Sequence, residues 1–147
     1  MITNVSLISV FVKDLDESLA FYTDVLGFDA KDDIQLGPDY RWVTVSHPNQ
    51  PELILHLAIP GPPMSDDLVA AMQRAQAEGG LPGVGRHVDD CRKTYETLSA
   101  QGVEFLQEPA ERPYGIEALM RDNSGNWMVL VEPRAYSPAD FEGVSFE

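Results

Sequence analysis

Two histidines are the side chains best suited to chemistry in this sequence. His56 lies in the apolar run Glu52-Leu53-Ile54-Leu55-His56-Leu57, and His87 stands just ahead of Asp89-Asp90. An imidazole on an apolar strand serves either as a hydrogen-bonded structural group or as a ligand contact and general base. Both readings stay open for His56, which is the candidate catalytic residue; His87 reads as structural or partly exposed. Tyr114 and Arg121 border a turn-rich stretch, where each either anchors a ligand or belongs to the surface. A metal site joining His56, His87 and Glu117 has no supporting spacing. No Ser/His/Asp or Cys/His nucleophile motif is visible. The run Gly79-Gly80-Leu81-Pro82-Gly83-Val84-Gly85 lacks the Lys-Ser/Thr that completes a phosphate loop, so it reads as a linker whose glycines let a following strand approach its neighbours.

The bulk composition narrows the function classes. With 147 residues and 44% hydrophobic content, the chain can bury one compact core and is too short for two large independent domains. A formal charge of -14, spread along the sequence, repels phosphate backbones and anionic membrane surfaces, so neither nucleic acid nor membrane is an expected partner. The acidity reads as a solvated surface, with a cationic ligand as the lesser alternative. The single Cys91 cannot form an intramolecular disulfide, and Met1 to Ser9 lacks the basic stretch and apolar run of a cleavable signal. The expected location is cytoplasmic.

The elements that must position these residues follow from periodicity and turn chemistry. Val5 to Val12 is a β-branched strand; a helix follows, capped by Asp14 or Asp16, carrying Leu15, Leu19, Tyr22 and Leu26, and ended by Gly27. Strands are predicted at Phe28 to Asp32, Tyr40 to Ser46 and Leu53 to Ile59, separated by Gly37-Pro38 and His47-Pro48-Asn49. Pro60-Gly61-Pro62-Pro63 marks a linker, and Asp66 to Glu78 a short connecting helix ended by Gly79-Gly80. From Gly83 the order recurs. Val88-Asp89-Asp90-Cys91, Tyr95, Leu98 and Gly102-Val103 parallel Val12-Lys13-Asp14-Leu15, Leu19, Tyr22 and Gly27-Phe28, at an offset of 76 residues for the strand end and 75 for the glycine. Strands at Glu104 to Gln107, Ile116 to Arg121 and Trp127 to Glu132 close the second copy. The expected organisation is one domain over 1-147: module 1 at about 5-59, linker and helix at about 60-82, module 2 at about 83-133, and a tail at 134-147.

Val12-Lys13-Asp14 with Ser18-Leu19-Ala20-Phe21-Tyr22 and Leu26-Gly27-Phe28 resembles the opening of the vicinal oxygen chelate superfamily, which groups glyoxalases, bleomycin resistance proteins and extradiol dioxygenases. Arg112-Pro113-Tyr114-Gly115 and Arg121-Asp122-Asn123-Ser124-Gly125-Asn126-Trp127-Met128-Val129-Leu130 resemble its closing hairpin, with Asn123 and Gly125 suiting positive φ. The resemblance runs from Val5 to Pro133. It implies an α+β fold of two tandem βαβββ modules forming a cup-shaped mixed sheet with helices outside. It also implies a divalent metal in the cup, held by His or Glu from four strands. Here the corresponding positions are Leu7, His56, Gly83 and Val129. Leu, Gly and Val cannot coordinate, so no cofactor is expected, and a divalent metal enters only under a different alignment.

With Leu7 facing the cup, strand alternation adds Ser9 and Phe11 as ligand-binding residues, while Ile8, Val10 and Val12 pack on helices. The same rule brings in Ile54 and His56, then Gly83, Gly85 and His87, then Trp127, Val129 and Val131. Trp42 and Trp127 are read as core residues, Trp127 having the better inward assignment. The expected function is metal-independent binding of a small organic molecule, as in the bleomycin-resistance branch. The alternative is an enzyme with lyase or dioxygenase chemistry, working through a non-standard metal site or histidine acid-base catalysis. The resemblance also implies a homodimer.

Overall fold

The structure, a computed structural model, describes residues 1–146. Its contacts divide the chain into two compact units: Met1–Gly83 together with Asp122–Asn126, and Val84–Arg121 together with Trp127 onward. The fold is α+β, with one βαβββ module in each unit.

In the first unit, β1 (Leu7–Phe11), β2 (Asp29–Gln35), β3 (Arg41–His47) and β4 (Gln50–Ala58) form a mixed sheet in the order β1-β4-β3-β2. The β1–β4 pair is parallel, with Leu7 opposite Ile54 and Ser9 opposite His56; the other pairs are antiparallel. Val10, Val12, Val43, Val45, Leu55 and Leu57 alternate onto the buried face, against α1 (Leu15–Ala20) and Tyr22. Burial alternates along β1, whereas Leu55, His56 and Leu57 are all buried in β4.

In the second unit, β5 (Arg86–His87), β6 (Phe105–Arg112), β7 (Gly115–Arg121) and β8 (Trp127–Pro133) follow the order β5-β8-β7-β6, again with one parallel pair, β5–β8. Helix α2 (Asp66–Glu78) precedes this module and α3 (Cys91–Ala100) packs on β6, β7 and β8. Ala118, Met120, Met128 and Leu130 fill the core beneath α3.

The helix starts show the duplication most directly. Asp14 accepts from the Glu17 N–H at 2.8 Å and Asp90 from the Lys93 N–H at 2.9 Å, so Asp14, not Asp16, is the first cap. The helix ends differ by one residue. After Ala20 the first module makes a π-helical turn, Phe21–Val25, with the Leu26 N–H bonded to the Phe21 carbonyl. A π turn spends one extra residue per hydrogen-bonded loop. It accounts for the offset falling from 76 residues at the caps to 75 at Gly27 and Gly102, which both take positive φ.

Several expectations need correction. The fifth strand does not start at Gly83; its ladder is only Arg86–His87, because the glycines and Pro82 before it supply little side-chain packing and one fewer donor. β6 runs on to Arg112, through Pro109, which an edge strand interrupted by register shifts tolerates. Gly125 carries positive φ in the closing turn, whereas Asn123 does not.

Candidate functional site

His56 sits in mid-β4 and is 9% exposed. Its Nδ1 lies 3.3 Å from the Ser9 hydroxyl on the neighbouring strand. Trp42, from β3, stacks on the imidazole at 4.1 Å between ring centres and 23° between planes. Nε2 is buried and has no hydrogen-bond partner among the described residues. Desolvation holds the imidazole pKa below its ordinary value, which favours the neutral ring. A neutral imidazole bonded through Nδ1 keeps Nε2 for one further partner, as donor or acceptor according to tautomer. Leu7 and Ile54 continue the same face, and Phe11 completes it at the end of β1. Thus Leu7, Ser9, Phe11, Ile54 and His56 do come together on one face. Trp42 is a stacking partner of His56 and not the core residue it was read as.

In the second unit, His87 stands opposite Val131, and Val131 opposite Glu117. Val129 lies one alternation along β8, and a Cβ placed on Gly85 would come within 3.1 Å of its side chain. Gly85, His87, Val129 and Glu117 therefore share a region of one sheet face. His87 is exposed, in accord with its reading. Trp127 is 41% exposed, so it is not buried core; Met128 and Leu130 take that role on the opposite phase of β8.

A polar cluster on this face escaped the sequence reading. Glu117 accepts a short hydrogen bond from the Tyr114 hydroxyl. It also accepts from Gln107 Nε2 and Arg112 Nε, each at 3.4 Å, and Arg112 Nη2 donates to Gln107 Oε1 at 3.2 Å. Burial, reinforced by the Glu117 carboxylate, raises the Tyr114 pKa to about 12, so the phenol stays protonated. Gln107, Arg112, Glu117, Ser145 and Phe146 line a cavity of about 640 Å³. The available signal was the placement of Arg112 and Glu117 around the tight Pro113-Tyr114-Gly115 connection. Arg121, by contrast, pairs with Glu104 at 3.3 Å and lies outside this cluster.

The residues present do not fit the divalent metal that the fold implies. His56 offers a nitrogen, but Leu7 and Val129 present only methyl groups and Gly83 has no side chain. Among the described residues, no group of three or more His, Cys, Asp or Glu side chains is placed to hold a metal ion. Glu117 is engaged by Tyr114, Gln107 and Arg112.

A family model described as Glyoxalase/Bleomycin resistance protein/Dioxygenase superfamily matches residues 4–130. The protein YurT of Bacillus subtilis (strain 168) is 33% identical over 84% of this chain and 94% of its own length. Among solved structures, UcmS2 is 39% identical, covers 90% of this chain and 99% of its own, and superimposes with a TM-score of 0.81. TnmS3, described as an antibiotic binding protein from Streptomyces sp. CB03234, is 29% identical, covers 90% and 98%, and has a TM-score of 0.71.

Proposed function

Because this chain belongs to the glyoxalase/bleomycin resistance protein/dioxygenase superfamily, we propose that it binds a small organic molecule without the metal centre common in that superfamily. The observation carrying this reading is the pair of aliphatic side chains, Leu7 and Val129, at positions that would have to supply ligating atoms. The scaffold around them is intact. Similarity to TnmS3, an antibiotic binding protein, points toward an antibiotic-like ligand. The candidate contact residues are Leu7, Ser9, Phe11, Ile54 and His56 on the module 1 sheet and Gly85, His87, Trp127 and Val129 on the module 2 sheet. They combine apolar area with a few polar anchors, the usual composition of a small-molecule site.

The test joins metal analysis of the purified protein with equilibrium binding to a panel of antibiotics and other organic compounds in the presence of chelator. Binding should persist in chelator. A stoichiometric, tightly held divalent ion, or binding that vanishes on chelation, overturns the reading.

A second reading is favoured by the unpartnered Nε2 of His56: acid-base chemistry on a bound substrate. Turnover of a panel compound by the parent, lost in His56→Gln, would establish it; binding without turnover leaves the first reading. We further infer a homodimer working in the cytoplasm. Light scattering checks the first point, a monomer across micromolar concentrations refuting it, and cell fractionation checks the second.

A further inference from the structure

We propose that module 2 carries an oxygen-accepting subsite in which Arg112 binds a carboxylate, or another anionic oxygen, of an aromatic ligand whose ring lies along Phe146. This rests on the reading that the protein binds a small organic molecule, and it names the chemical class of that molecule.

The inference follows from counting donors and acceptors around the cavity of about 640 Å³, a size typical of small-molecule sites. The Glu117 carboxylate is largely engaged. Glu117 Oε2 accepts from Tyr114, and Oε1 from both Gln107 and Arg112. Gln107 Oε1 accepts from Arg112. A guanidinium presents a fork of five N–H groups. In Arg112, Nε and Nη2 each make one of these bonds and the guanidinium also acts on the Tyr114 hydroxyl, which still leaves N–H groups to spare. The Ser145 hydroxyl has no partner among the described residues either. The unused N–H groups of the guanidinium suit a ligand that supplies acceptors.

Charge decides in the same direction. The place a cationic ligand would take over the Phe146 ring is already held by Arg112, 5.5 Å from its centroid. Glu117, with a side-chain exposure of 14%, is already offset by that same guanidinium. So although the whole chain is strongly acidic, this cavity favours an anionic oxygen over an amine. The existing bonds of Arg112, at 3.2–3.4 Å, are longer than the 2.7–2.9 Å usual for charge-assisted pairs, so re-pairing to a carboxylate improves them. Phe146 stacks toward Tyr114 at 6.3 Å and supplies an aromatic wall.

The experiment titrates the full-length, isotopically labelled protein with three probes of one shape: 1-naphthoate, 1-naphthamide and 1-naphthylmethylamine. Naphthoate should perturb the amide resonances of residues 107–117 and 145–146 and bind at least tenfold more tightly than the amine. Arg112→Gln should weaken naphthoate at least tenfold while changing the amine little, and Arg112→Lys should fall between parent and Gln. Either variant suffices if the other does not fold. Phe146→Ala should weaken all three probes together. Equal affinity for the carboxylate and the amine, indifference to Arg112, or no naphthoate binding at millimolar concentration overturns the proposal. Perturbations confined to His56 and Trp42 also overturn it, while leaving the broader reading of a metal-independent binding protein standing.

Discussion

At the scale of single residues, His56 is the side chain in which local environment does most to set behaviour. The Trp42 indole and the β4 interior remove water from an imidazole whose Nδ1 lies beside the Ser9 hydroxyl. Replacing His56 by Gln keeps some hydrogen-bonding capacity and about the same reach, so the fold should lose roughly 1 kcal/mol or less. Ligand affinity or turnover should fall; a collapsed fold, or unchanged function with a known ligand, would mark the histidine as purely structural. The pH dependence has a definite sign. Burial lowers the folded-state pKa below the ordinary histidine value, so the unfolded chain binds more protons between the two. The stabilisation is full above the ordinary value and is lost as pH falls toward the folded one. Thermal unfolding between pH 7 and 5 should therefore show the parent losing stability faster than His56→Gln. That His56 faces away from the helices was legible from its alternation with Leu55 and Leu57. Its cover by Trp42 was not, because cross-strand partners depend on a register that a single strand's pattern does not reveal.

At the scale of elements, signals that act over four or five residues were read well. The Asp caps, the terminating glycines and the bounds of α2 all depend on local hydrogen bonds and backbone freedom. Elements whose extent depends on neighbours were misjudged: β5 was drawn too long, and β6 ended too early at the first polar residues. The polar cluster stayed hidden for the same reason, since Gln107 and Glu117 meet only across the β6–β7 ladder. Two predictions test elements. Gly115 has φ of +141°, and a Cβ there would sit 2.0 Å from the Glu132 carbonyl oxygen. Gly115→Ala should therefore displace the β7–β8 ladder and cost roughly 3 kcal/mol in denaturant unfolding, by strain and clash together. Asp122, 6% exposed, accepts from the Ser124 and Asn126 N–H groups, the Asn126 amide and the Tyr22 hydroxyl. Asp122→Ala leaves at least two of these buried donors unanswered and should cost roughly 2–6 kcal/mol at about 1–3 each. Loss of less than 1 kcal/mol would mean the turn is not a structural node.

At the scale of the whole molecule, the duplication is not a simple repetition of two self-sufficient halves. The Asp122–Asn126 turn joins β7 to β8 in the second sheet, yet its bonds serve the first unit. Asn126 donates to the Phe11 carbonyl at 2.8 Å, Ser124 accepts from the Lys13 N–H at 2.9 Å, and Asn123 donates to the Ser18 hydroxyl at 3.1 Å. The corresponding connection in module 1, between β3 and β4, is a tight turn at Pro48-Asn49. A peptide ending at Gly83 would thus lack part of its own lining, and should stay unstructured alone. Mixed with a second peptide spanning 84–147, it should recover native circular dichroism. The same mixture carrying Asp122→Ala in the second peptide should reassemble poorly. Cutting the backbone between Gly83 and Val84 would therefore turn a permanent lining into one that depends on peptide concentration.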